Sequence, residues 1–201
     1  MRDGSTPGGT GRVLVSRDGQ RFFFDAGAVA LDVAYSGGRG RLEVFETWHR
    51  PADLAAWLAA APRPMLVRGR LTVADLEWMK DLREVIREAA WAVAAGDPVP
   101  SAARRVLNRA AAEAPLVPRL DPAGALAWRP AATIDAVGST LARELLDVVG
   151  GPAVDRLRAC AADDCPLVFL DLSRPGTRRW CSMARCGNRH KVRTHRAHQP
   201  A

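Results

Sequence analysis

Apolar positions at helical spacing dominate the first three quarters of the chain. Leu54, Trp57, Leu58 and Ala61 follow Pro51, a residue suited to a first helical position. A longer stripe runs through Leu76, Met79, Leu82, Ile86 and Val93. Thr72-x-x-Asp75 opens it as a capping box with Asp in the usual Glu position, and Gly96-Asp97-Pro98 stops it. A third helix is predicted from Ser101 to about Ala114, where Pro115 ends it. A fourth carries Ile134, Val137, Leu141, Leu145 and Val148, and Gly150-Gly151 closes it. Strands are fewer and shorter. Arg21-Phe22-Phe23-Phe24-Asp25 reads as one and Leu42 to Phe45 as another. Leu116 to Leu120 and Ala125 to Trp128 form a predicted hairpin, because Asp121-Pro122-Ala123-Gly124 has the residues a type I turn prefers. Ala28 to Tyr35 fits a strand or a buried helical turn equally well, and Ser36 to Gly40 is a loop.

These elements predict a mainly helical α+β domain over residues 13–150, followed by a small module over 151–201. Residues 1–12 are polar and Gly-rich, without the apolar core of a signal peptide, and are expected to lack fixed structure. With 48% apolar residues the domain can bury its own core, so a fragment of 13–150 is expected to fold alone. No apolar run is long enough to span a bilayer, so no membrane partner and a cytoplasmic location are expected. The Trp and Met residues on the helices fit ordinary core positions. No catalytic triad, H-E-x-x-H, P-loop or dinucleotide fingerprint occurs, and an enzyme is not expected. His49, the one histidine outside the C-terminal tail, has no clustered partner and reads as a surface residue.

All four cysteines fall within the last module, as Cys160-x4-Cys165, fifteen residues, then Cys181-x4-Cys186. Two close-spaced pairs can supply the four thiolates of a tetrahedral zinc site, one Zn2+ per chain. Two disulfides or four unrelated buried thiols are the alternatives. Between the pairs, Pro166 to Leu170 reads as a strand, Ser173 to Thr177 as a turn and Arg178 to Trp180 as the returning arm of a hairpin. Ser182 is placed to cap a helix through Met183, Cys186 and His190. By analogy this is a treble-clef-like arrangement. Four cysteines close the site, so the zinc is structural.

Charge changes the picture only at the C-terminus. The net charge is +7, yet residues 172–201 hold eight of the 29 basic residues and no acidic one, leaving the rest at −1. Arg178, Arg179, Arg185, Asn188, Arg189, Lys191, Arg193 and Arg196 are therefore the candidate nucleic-acid contacts. Helical spacing puts Arg185, Arg189, Arg193 and Arg196 near one face. Arg185, Asn188 and Arg189 are expected to reach base edges, and Arg193 and Arg196 to hold phosphates. A basic tail that is only solvated, or arginines that offset a zinc tetrathiolate, are the competing readings.

Cys186-Gly187-Asn188-Arg189 matches the motif that names the CGNR zinc finger. The stretch from Cys160 to Arg196 resembles that finger throughout, including Phe169 to Arg174 and Arg179 to Met183. The preceding domain resembles the ABATE domain through Ala30-Leu31-Asp32, Asp53 to Leu58 and Leu82-Arg83-Glu84. Members are described as stress-induced transcriptional regulators, so the resemblance implies a DNA-binding regulator whose larger domain dimerises, senses a small-molecule signal or contacts another protein. Such proteins typically continue the Leu-Asp with an aromatic residue and Asn-Thr. Here Leu31-Asp32 is followed by Val33-Ala34-Tyr35-Ser36, so any ligand site marked by that motif is altered. RNA binding by the same module, and a zinc-stapled protein adaptor, are the alternatives.

Overall fold

The computed structural model describes residues 11–16 and 18–197. The expectation for the N-terminus falls, up to residue 10, outside the described residues.

The chain opens with an antiparallel pair, β1 (Arg12–Val15) and β2 (Arg21–Phe24), in which Val13 faces Phe23. Alternation sends Phe22 and Phe24 into the core and leaves Phe23 half exposed beside Val13 and Val15. The ambiguous stretch that follows is a short helix, α1 (Val29–Ala34). It is buried from Ala30 to Ala34, so its apolar pattern has no solvent-facing gap from which a period could be read. No side chain of its own caps α1; instead Glu144, from a later helix, accepts the Ala30 N–H at 2.6 Å. The strand expected from Leu42 to Phe45 is a 3-10 helix, Gly40–Phe45. Its two buried residues, Leu42 and Phe45, are three apart, the spacing at which 3-10 side chains eclipse.

The predicted helices follow as α2 (Pro51–Ala59), α3 (Val73–Ala94), α4 (Ser101–Ala112) and α5 (Ile134–Gly150). Asp53 holds the Arg50 N–H at 2.8 Å at the start of α2. Thr72 and Asp75 exchange hydrogen bonds at the start of α3, completing the capping box read from sequence. The hairpin β3 (Pro118–Leu120) and β4 (Leu126–Trp128) is present, with the Asp121 carboxylate accepting from the Ala123 and Ala125 N–H groups. α3, with Leu76, Met79, Leu82 and Ile86 buried, packs against α1, α4 and α5. Arg83 is buried in this core, paired through both terminal nitrogens with Glu46, at 3.0 and 2.6 Å, and lying over Trp48. Among the described residues no helix is long and apolar enough to cross a membrane. His49 is exposed.

The C-terminal module does not sit apart from this domain. Its strands β5 (Leu157–Ala159) and β6 (Val168–Leu170) pack on α3, and Leu167, Val168 and Phe169 are fully buried in the same hydrophobic cluster as Phe24, Leu31 and Ile86. The Trp91 indole donates to the Pro166 carbonyl at 2.9 Å. Tyr35, at the end of α1, accepts the Val168 N–H at 2.7 Å.

Candidate metal centre and basic surface

The hairpin of this module differs from the expected one. β6 pairs with β5, upstream of the first cysteine, in the register Arg158 with Phe169. Its other edge is taken by the helical domain, where Tyr35 and the Ala26 carbonyl accept from Val168 and Leu170. No edge is left for residues 178–180, which form a loop. Cys160 to Cys165 thereby becomes the connection between the two strands, closed by Cys160 N–H to Leu167 carbonyl and Cys165 N–H to Ala162 carbonyl bonds, both 2.9 Å.

The returning loop is set by Asp171 and Arg178. Asp171 is fully buried and accepts from the Ser173 N–H and hydroxyl, at 2.9 and 2.6 Å, and from the Arg178 N–H at 2.8 Å. Burial pushes its carboxyl up, but these hydrogen bonds outweigh it and hold the group below the usual range. The Arg178 guanidinium lies over Phe169 and donates to the carbonyls of Trp180, Asp25 and Cys181. Cys181 is thus delivered opposite the first pair.

The second pair closes on a helical turn. Residues Met183–Gly187 form a single π turn, in which the Gly187 N–H reaches back to the Ser182 carbonyl, and α6 (Asn188–Ala197) continues from it. Ser182 stands at the cap position, but its side chain makes no capping bond. Each residue of the Cys-Gly-Asn-Arg segment has a distinct task here. Cys186 points at the other thiols. A Cβ on Gly187 would meet the Met183 sulfur at 2.7 Å and Trp180 at 3.4 Å. The Asn188 amide donates to the Ala184 carbonyl at 3.3 Å. Arg189 binds Asp164, in the Cys160–Cys165 loop, through two bonds of 2.8 and 3.0 Å, and also donates to Cys186 Sγ at 3.4 Å.

The four thiols are buried and free of disulfides, and all lie within 4.8 Å of one another. The separations of Cys181 Sγ from Cys165 and Cys186 Sγ are 3.6 and 3.4 Å. A tetrahedron with metal–sulfur bonds of about 2.3 Å has edges of about 3.8 Å, so the cluster can coordinate one metal ion, whereas a disulfide needs about 2.05 Å. The crowding of the thiols shifts their ionisation in opposite directions. Hydrogen bonds from the three neighbouring thiols, with help from Arg189, hold Cys186 far below the ordinary thiol range. The same crowding drives Cys165 and Cys181 up. Only a bound cation lets all four ionise together.

The candidate contacts of the basic segment fall into two groups. Arg178, Arg185 and Arg189 are partly buried and have partners within the protein; Arg185 lies over Phe22 and approaches Cys165 and Cys186 at 4.0 and 3.9 Å. Arg179, Asn188, Lys191, Arg193 and Arg196 are exposed. Arg193 also comes within 3.7 Å of Asp164. Asp164 escapes a reading of the basic segment because it lies outside residues 172–201, in a stretch whose charges nearly cancel. An acid inside the first cysteine loop, beside two thiols, was the available signal.

Comparison with known proteins agrees with this geometry. Among curated proteins none matches the chain. Residues 156–199 match the family model described as "CGNR zinc finger". Residues 27–152, more than half of the chain, match the ABATE model, described as "Putative stress-induced transcription regulator". Neither description is that of an enzyme. The protein belongs to the ABATE family, and its residues 156–199 match the CGNR zinc finger.

Proposed function

We propose that the protein is a DNA-binding transcription regulator acting in the cytoplasm. One structural Zn2+ is held by Cys160, Cys165, Cys181 and Cys186, and the domain of residues 13–150 serves signal sensing or homodimerisation. When bound, the zinc supplies folding energy, tying the β5–β6 connection to the start of α6. Arg178, Arg185 and Arg189 hold the module together around it. Arg179, Lys191, Arg193 and Arg196 face the nucleic acid. The observation that carries this reading is the exposed basic array on α6 and the adjoining loop, within a segment lacking any acidic residue. Trp180, the finger's aromatic placed to stack unpaired bases, is half-buried and tilted against His190, which favours duplex DNA over single-stranded RNA.

The test is the salt dependence of binding to duplex DNA, with RNA and a protein-only pull-down beside it. Four phosphate contacts predict a slope of log K against log salt of roughly −3 to −4. A slope near zero, or preference for single-stranded RNA, rejects the reading.

A further inference from the structure

Beside the metal centre, the Cys160–Cys165 loop, the loop before Cys181 and the first turn of α6 enclose a pocket of about 140 Å3. Trp180 and His190 form one wall, their rings stacked at 4.8 Å with 35° between planes. Arg179, Arg189, Arg193 and Asp163 supply the charged lining. Building on the nucleic-acid reading, we propose that this pocket binds a single phosphate group, presented by the backbone of the nucleic acid.

Size comes first. A water molecule takes about 30 Å3 and sites for drug-sized ligands run from about 300 to 1,000 Å3, so this pocket suits one small polyatomic group and not a folded cofactor. Charge selects its sign. Three guanidiniums line the pocket against one carboxylate, Asp163, and Asp164 outside the lining offsets Arg189. Arg189 is already fixed by Asp164 and Cys186, which offset its charge, so it forms an immobile wall while Arg179 and Arg193 supply the mobile positive charge. Arg179 touches protein through the Trp180 face, 5.1 Å from the ring centre. Arg193 is 58% exposed and only loosely paired, at 3.7 Å from Asp164. Both can turn planar donor forks onto an oxyanion, and phosphate accepts such forks from more than one side at once. The pocket floor includes Cys186 itself, so metal binding shapes the site before any ligand arrives. Asp163 is the discordant group, because its charge opposes the anion. That opposition makes a sharp test possible, since a merely structural pocket would not respond to it in this direction.

The experiment uses the full-length, zinc-loaded chain. Inorganic phosphate is titrated calorimetrically against a chloride control at matched ionic strength. Saturable phosphate binding is expected. It should weaken about tenfold in the Arg179→Ala/Arg193→Ala double variant and tighten in Asp163→Asn, with zinc content and melting temperature unchanged. On duplex DNA the double variant should lose affinity for all sequences alike, and its salt slope should fall by about one, the single phosphate held in the pocket. Phosphate heats no larger than those of chloride, or binding indifferent to both arginines, overturn the pocket, and DNA binding that persists then rests on other residues. Arginine-dependent phosphate binding without any DNA binding upholds the oxyanion site and overturns its nucleic-acid source, and with it the nucleic-acid reading.

Discussion

Arg189 and Arg193 sit one turn apart on α6, yet their surroundings give them different work. Arg189 has one terminal nitrogen on each Asp164 oxygen and a contact with Cys186, so its loss strips a hydrogen bond and a positive charge from the metal centre. Arg189→Ala is therefore expected to release zinc to a chelator about 10–100-fold more readily and to lower the melting temperature, with sequence preference unchanged wherever binding survives. Arg193→Ala should leave zinc retention intact and weaken binding to every sequence, reducing the salt slope by about one. Zinc kept by Arg189→Ala together with altered preference at one base pair would return Arg189 to base readout. Asp32 carries a separate prediction. Burial pushes its carboxyl up to about 7, against the opposing pull of Arg12, and its Oδ2 has no hydrogen-bond partner among the described residues. A folded pKa raised above the unfolded value favours the folded state fully below about pH 4, and that contribution is lost as pH rises to about 7. Asp32→Asn should flatten the stability profile between those limits and stabilise the protein by about 1–3 kcal/mol at pH 8, as read by denaturant unfolding across pH. An unchanged profile in that variant would exclude Asp32 as the titrating group.

The helices were legible because each one declares itself locally. α3 has an apolar stripe, a capping box and a Gly-Asp-Pro stop, and all three act within the element. α1 and the 3-10 turn were less legible because their form is decided from outside. Glu144, more than a hundred residues away, supplies the cap that α1 lacks. The contact between α3 and α5 shows the same dependence. Gly138 lies on α5 where a Cβ would stand 2.0 Å from the Trp78 ring, a clash with a bulky group held between two helices. Helix propensity alone would make Gly138→Ala stabilising by about 1 kcal/mol. Overpacking against Trp78 is expected to win, giving a net loss of about 1–3 kcal/mol in denaturant unfolding, with partial recovery in the Gly138→Ala/Trp78→Phe double variant. A more stable Gly138→Ala would mean that α3 and α5 separate freely.

The molecule as a whole has one buried cluster that crosses the boundary near Gly150-Gly151-Pro152. Sequence predicts a helical domain independent of the zinc module. In the folded chain, however, β6 is sealed on one edge by Tyr35 and Ala26, and Trp91 and Arg178 add bonds between the two parts. A fragment of residues 13–150 would expose the surfaces on which Leu167, Val168 and Phe169 lie. Removing zinc with a chelator is therefore expected to lower the melting temperature of the overall helical signal as well, in one shared transition by circular dichroism. Two separate transitions, with the helical one unmoved, would support an independently folding helical domain.

From the sequence by itself came the α+β class, the four long helices, the cysteine set and the location of the positive charge. Those properties depend on spacing, caps and composition, which act over a few residues. Tertiary structure alone decided which strand β6 pairs with, that Asp164 answers Arg189, and which arginines remain exposed. Each of these depends on groups distant in sequence competing for the same hydrogen-bonding edge or charge. The winner is set by what the packed core brings within reach.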